Sequence, residues 1–98
     1  MQRDIAIQRI RAIESSIRSL GASAVYLFGS TSRNEAGPNS DVDVFIDKDP
    51  AHSFGLTEFC RLEETLAEAL GTKVDLATRE SLHPVIKHEI EQSAIRVI

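Results

Sequence analysis

Cys60 is the only cysteine among 98 residues, so no internal disulfide can form and no cysteine cluster can hold a metal. Such sparing use fits a reducing cytoplasm. Long apolar runs are missing too. None approaches the ~20 residues needed to cross a bilayer, and Met1 to Ile10 alternates charged with apolar residues, unlike a signal peptide. The sequence thus predicts a cytoplasmic protein with no membrane contact. Nor is there an excess of positive charge: the formal net charge is -4, and its field repels nucleic acid and anionic membrane. Direct binding to nucleic acid is not expected. There is no internal repeat and no low-complexity segment.

What is present suffices for folding. Hydrophobic residues make up 42% and charged residues 27%, too apolar a mixture for a disordered chain. A length of 98 residues allows one apolar core, so residues 1-98 are read as a single domain.

Ile10, Ile13, Ile17 and Leu20 recur at helical spacing and Gly21 follows as a stop, which predicts a first amphipathic helix. Ala22 to Phe28 is short, apolar and rich in strand formers, and it runs into Gly29-Ser30, a tight turn. Asn34, Gly37, Pro38 and Asn39 mark a loop over residues 33-40. A second strand is expected from about Asp41 to Ile46, broken by Asp47-Lys48-Asp49-Pro50. Phe59, Leu62, Leu66 and Leu70 then form one helical face ending at Gly71. Lys73 to Ala77 reads as a third strand and Ser81 to about Ser93 as a third helix, with Pro84 in its first turn, where its missing N–H costs little. The tail from Ala94 to Ile98 is a candidate final strand. The expected fold class is α/β (α+β): a small mixed sheet with helices packed on it.

Chemistry concentrates in the carboxylates. Successive side chains of a strand point to opposite faces, so Asp41 and Asp43 share one face while Val42, Val44 and Ile46 share the other. Two carboxylates so close repel each other, and a hard cation such as Mg²⁺ compensates them, since it is held by one or two protein carboxylates with waters and substrate phosphates completing its shell. Asp75, flanked by Val74 and Leu76, repeats the local pattern. If the third strand neighbours the second, Asp75 joins the pair. Three carboxylates on one face can hold two cations about 3.5–4 Å apart, the arrangement that steadies both attacking and leaving oxygens in phosphoryl transfer. Gly29-Ser30 adds a turn whose backbone can approach a phosphate, with Ser30, Thr31 and Ser32 supplying donors.

Competing readings are weaker. A solvated edge strand leaves the joint pattern of Gly29-Ser30, Asp41, Asp43 and Asp75 without a reason. A calcium loop over Asp41 to Asp49 places Phe45 and Ile46 where an oxygen ligand and a glycine are needed. Asp47 and Asp49 read as turn carboxylates at the strand exit, and Asp47 shares the face of Asp43 only if the strand continues. His52, His83 and His88 show no metal-ligand spacing and are read as surface or capping residues; Tyr26 and Cys60 are read as packing.

Gly29-Ser30, ten intervening residues and then Asp41-Val42-Asp43 resembles the defining motif of the polymerase-β-like nucleotidyltransferase superfamily, with Asp75 where that family places its third carboxylate. The short chain and the stretch FGSTSRNEAGPNSDVDVFID are similar to the minimal nucleotidyltransferases, antitoxins encoded beside HEPN-domain RNase toxins. The resemblance implies that Asp41 and Asp43 hold the Mg²⁺ that grips ATP, and that Asp75 completes a second metal site or helps deprotonate the incoming hydroxyl. It implies phosphate contacts from Gly29 and Ser30, and Arg33 matches an arginine common in the motif, a planar fork suited to a triphosphate. The glycine usual after that arginine is Asn34, a change expected to alter the loop over the nucleotide.

The implied function is transfer of AMP to a protein hydroxyl, a tyrosine of a cognate HEPN-type toxin, within a hetero-oligomer. The alternative is a catalytically idle module that neutralises the toxin by contact alone.

Overall fold

The computed structural model describes residues 1-35, 37 and 41-98. The expected loop over residues 33-40 therefore lies partly outside the described residues, Pro38 and Asn39 included. Two short helices, α1 (Arg3–Ala12) and α2 (Glu14–Ser19), precede strand β1 (Ala22–Phe28), a single helical turn α3 (Gly29–Ser32) and strand β2 (Val42–Lys48). Helix α4 (Leu56–Leu70), strand β3 (Val74–Thr78), a 3₁₀ turn (Arg79–Ser81), helix α5 (Pro84–Ser93) and strand β4 (Ile95–Arg96) complete the order.

The first amphipathic pattern is thus split at Ile13, whose backbone (φ −113°, ψ 23°) leaves helical geometry. Ile10 and Ile17, on either side of the break, are both fully buried. In α4 the predicted stripe holds: Leu62, Leu66 and Leu70 are buried, and Gly71 ends the helix in the left-handed conformation that costs glycine nothing. The last helix starts later than the sequence suggests. His83 is its N-cap, its ring nitrogen accepting the Val85 N–H at 3.2 Å, and Pro84 occupies the first helical position, where no N–H is required.

The four strands lie in the order β3-β2-β1-β4, with β2 and β3 parallel and the other pairs antiparallel. This is the expected small mixed sheet, and the final strand of the tail is present as β4. One face of the sheet carries Val25, Leu27, Val42, Val44, Ile46, Val74 and Leu76, which form a continuous core with Ala6 and Ile10 of α1, Ile17 of α2 and the leucines of α4. By the pleat, Tyr26, Phe28, Asp43, Phe45, Asp47 and Asp75 belong to the opposite face. No helix among the described residues is long and apolar enough to cross a membrane.

Strand β2 runs two residues further than expected, to Lys48. Asp47 is therefore a strand residue on the face of Asp43, not a turn carboxylate. Pairing with β1 carries the strand that far, with Ala24 opposite Asp47 and Ala22 opposite Lys48, and Arg79 holds the Asp47 side chain: its guanidinium meets both Asp47 oxygens at 2.6 and 3.0 Å and also reaches Glu91 of α5. The same guanidinium lies 4.9 Å from the Tyr26 ring centroid and 5.1 Å from that of Phe45. Those two rings stack at 4.6 Å, as expected for a packing tyrosine, and Phe45 is fully buried although it shares the carboxylate face.

Candidate active site

The carboxylates meet because two strand pairings bring them together. In the parallel β2-β3 ladder Asp43 stands in register with Asp75, flanked by the pairs Val42 with Val74 and Val44 with Leu76. Those apolar neighbours are buried, so burial of one face fixes the register that aligns the two acids on the other. Asp41 lies one residue before β2, where the Val42 N–H donates to the Lys73 carbonyl at 3.1 Å and holds the two strand entries side by side.

Asp43 also faces Phe28 across the antiparallel β1-β2 ladder. The chain turns away immediately afterwards at Gly29, with φ +70°. A β-carbon at Gly29 would lie 2.3 Å from Oδ2 of Asp43, closer than any real contact, so glycine is required both by the backbone angle and by the carboxylate. The turn is closed by Ser32 Oγ donating to the Gly29 carbonyl at 2.8 Å and by Glu35 N–H donating to the Ser30 carbonyl at 2.8 Å.

Electrostatics agree with the crowding. The Asp43 carboxyl is pushed above its ordinary range, first by burial and then by the charges of Asp75 and Asp41, with Arg33 acting the other way. Both acids therefore lie close enough to Asp43 to repel it, and Arg33 close enough to relieve it. Arg33 itself is exposed and paired with Glu35 at 3.1 Å. Asn34 has φ +59°, the left-handed conformation that a glycine would adopt and that asparagine enters more readily than other side chains. The Asn34 side chain accepts the Arg3 N–H at 3.1 Å, tying the turn to α1.

The donors suit a hard divalent cation: oxygen atoms only, at least one of them under like-charge strain. Among the described residues no three carboxylate, imidazole or thiolate groups surround a single point, and Asp41 and Asp75 are exposed on an open face. An open face matches Mg²⁺, which keeps waters and substrate phosphates in its shell. A shallow depression lined by Asp4, Ile7, Gln8 and Arg11 of α1 involves none of these residues.

Sequence reasoning missed Arg79. Its place is set by the 3₁₀ turn after β3, and no spacing rule links position 79 to position 47. Arg79's hydrogen bonds, against the opposing cost of burial, together with its charge and the nearby Tyr26 hydroxyl hold the Asp47 carboxyl below its usual range.

The comparisons with known proteins follow the same lines. The family model described as a nucleotidyltransferase domain matches residues 9–97. A protein assigned as a protein adenylyltransferase in Methanocaldococcus jannaschii is 39% identical over 75 residues, which are 76% of this chain and 75% of that one. The protein adenylyltransferase MntA of Thermococcus cleftensis is 36% identical over 77 residues, covering 79% and 76%. Among solved structures, one assigned as a minimal nucleotidyltransferase superposes with a TM-score of 0.83 at 29% identity, over 97% of this chain and 95% of that one. The fold also matches, at a TM-score of 0.66 and 22% identity, a structure of a tri-AMPylated Shewanella oneidensis HEPN toxin in complex with an MNT antitoxin, over 95% of this chain and 71% of that one. With the match spanning nearly its whole length, the chain is a nucleotidyltransferase and belongs to the nucleotidyltransferase domain family.

Proposed function

We propose that this chain transfers AMP from ATP to a hydroxyl of a partner protein, a tyrosine of a HEPN-domain toxin, and so acts in the cytoplasm as that toxin's antitoxin. The observation that carries the reading is the register of Asp43 with Asp75, beside a glycine turn whose α-carbon stands against the Asp43 carboxylate. Relatives of similar length named as protein adenylyltransferases support the acceptor class. The complex of an MNT antitoxin with an AMPylated HEPN toxin, which shares the fold, supports the partner.

Each residue has a defined task. Asp41, Asp43 and Asp75 would hold two Mg²⁺ ions, which would supply neutralisation of the triphosphate charge. The backbone at Gly29 and Ser30 approaches the phosphates and Arg33 offers its fork to them, releasing Glu35 to do so. The acceptor oxygen forms a bond to the α-phosphorus as the bond to diphosphate breaks, and Asp75, exposed at the open face, takes the hydroxyl proton.

The test is incubation of the purified partner with Mg²⁺ and ATP labelled at the α- or the γ-phosphate. The partner acquires the α-label and never the γ-label, and the Asp43→Ala variant transfers neither. A partner that stays unlabelled, or that takes the γ-label, contradicts nucleotidyl transfer.

A further inference from the structure

We infer that Lys73 is a built-in counter-ion for Asp41 which a divalent cation must displace, so that this chain's own ammonium sets how tightly the carboxylate face takes a cation. The inference rests on the assignment of Asp41 to cation binding. Lys73 precedes Asp75 by two residues, which places it on the same side of the strand, and its backbone is tied to the entry of β2 by the Val42 N–H. Asp41 and Lys73 thus sit side by side one pleat repeat, about 6.6 Å, before the Asp43 and Asp75 pair.

The Lys73 ammonium lies 3.9 Å from Asp41 Oδ2, and among the described residues Asp41 is its one ionic partner. With the lysine side chain 82% exposed and the aspartate 45%, such a pair adds little to stability. Its effect on a competing cation is larger. A unit positive charge about 4 Å from a ligand oxygen repels a divalent ion and must swing aside before that oxygen is free; the flexible four-carbon stem allows this. The other lysine near the sheet, Lys48, pairs with Glu80 at 3.1 Å, at the opposite end of β2, and provides a control of equal charge.

The experiment is titration of the full chain with Mn²⁺ in the absence of nucleotide, read by the paramagnetic signal of the free ion. Lys73→Ala binds Mn²⁺ roughly fivefold more tightly than wild type, Lys73→Arg stays near wild type, and Lys48→Ala changes little. In an Asp41→Ala background the gain from Lys73→Ala disappears. Unchanged or weaker binding by Lys73→Ala, an equal gain from Lys48→Ala, or a gain that survives Asp41→Ala overturns the inference alone. Absence of Mn²⁺ binding in wild type and in every variant overturns the assignment of the cation site and this inference with it.

Discussion

Gly29 and Asp43 occupy space that only a glycine can share with that carboxylate: a β-carbon on the first would stand 2.3 Å from Oδ2 of the second. The turn proposed to offer its backbone to the phosphates and the acid proposed to hold a cation are therefore set against each other. A change in one displaces the other.

Gly29→Ala should report this directly. The variant folds, with a thermal midpoint about 4–16 °C lower, because alanine at φ +70° costs about 1–2 kcal/mol. Nucleotidyl transfer falls more steeply, by about 100-fold, since the carboxylate is pushed from its place. Calorimetry beside a transfer assay checks the pair of effects; a loss of activity no greater than the loss of folded protein contradicts the geometry.

Asp43→Asn separates stability from activity in the other direction. The folded Asp43 carboxyl binds its proton more tightly than the unfolded one, so this group's contribution is greatest below its ordinary value of 3.8 and is lost as pH rises through the raised folded value. Above that, the ionised acid destabilises the metal-free fold. The asparagine variant should therefore be at least as stable as wild type at pH 7 without metal, yet inactive. Denaturant midpoints across pH 3.5 to 7 measure this, and a less stable variant contradicts the like-charge strain.

Arg79 is a structural clamp with the opposite sign. Asp47, held below its usual value, contributes stability that is present above pH 3.8 and lost as pH falls through its lowered folded value. Arg79→Ala should remove about 1.5–3 kcal/mol at pH 7, the range for hydrogen bonds to charged groups. Arg79→Lys should recover only a part, because a point charge cannot meet both Asp47 oxygens and Glu91 at once. Urea unfolding at pH 7 and pH 3 checks both; equal losses at the two pH values would argue against the ion pair.

The legible and illegible parts of the sequence differ for physical reasons. Strand alternation places Asp41 with Asp43 and predicts the apolar backs of β2 and β3, because the two-residue period is local. The helical stripe of α4 is equally local, and Gly71 closes it as expected. That β3 lies next to β2 is a long-range pairing, which had to be assumed before Asp75 could be joined to Asp43. Arg79 was invisible for the same reason: its partners Tyr26 of β1, Phe45 and Asp47 of β2 and Glu91 of α5 come from three other parts of the chain. The break at Ile13 also escaped the apolar pattern, because Ile10 and Ile17 are buried whether or not the helix is continuous. At Asn34 the residue type suggested an altered loop, and most of that loop lies outside the described residues.

The alternative of a contact-only antitoxin makes the same complex with its toxin but leaves the toxin chemically unchanged. Intact-mass spectrometry of the HEPN-domain partner, co-expressed with wild type or with Asp43→Asn, distinguishes the two. Nucleotidyl transfer predicts AMP-sized mass increments on the partner with wild type and an unmodified partner with the variant. A partner of unmodified mass beside wild type, while cells are still protected, would contradict it.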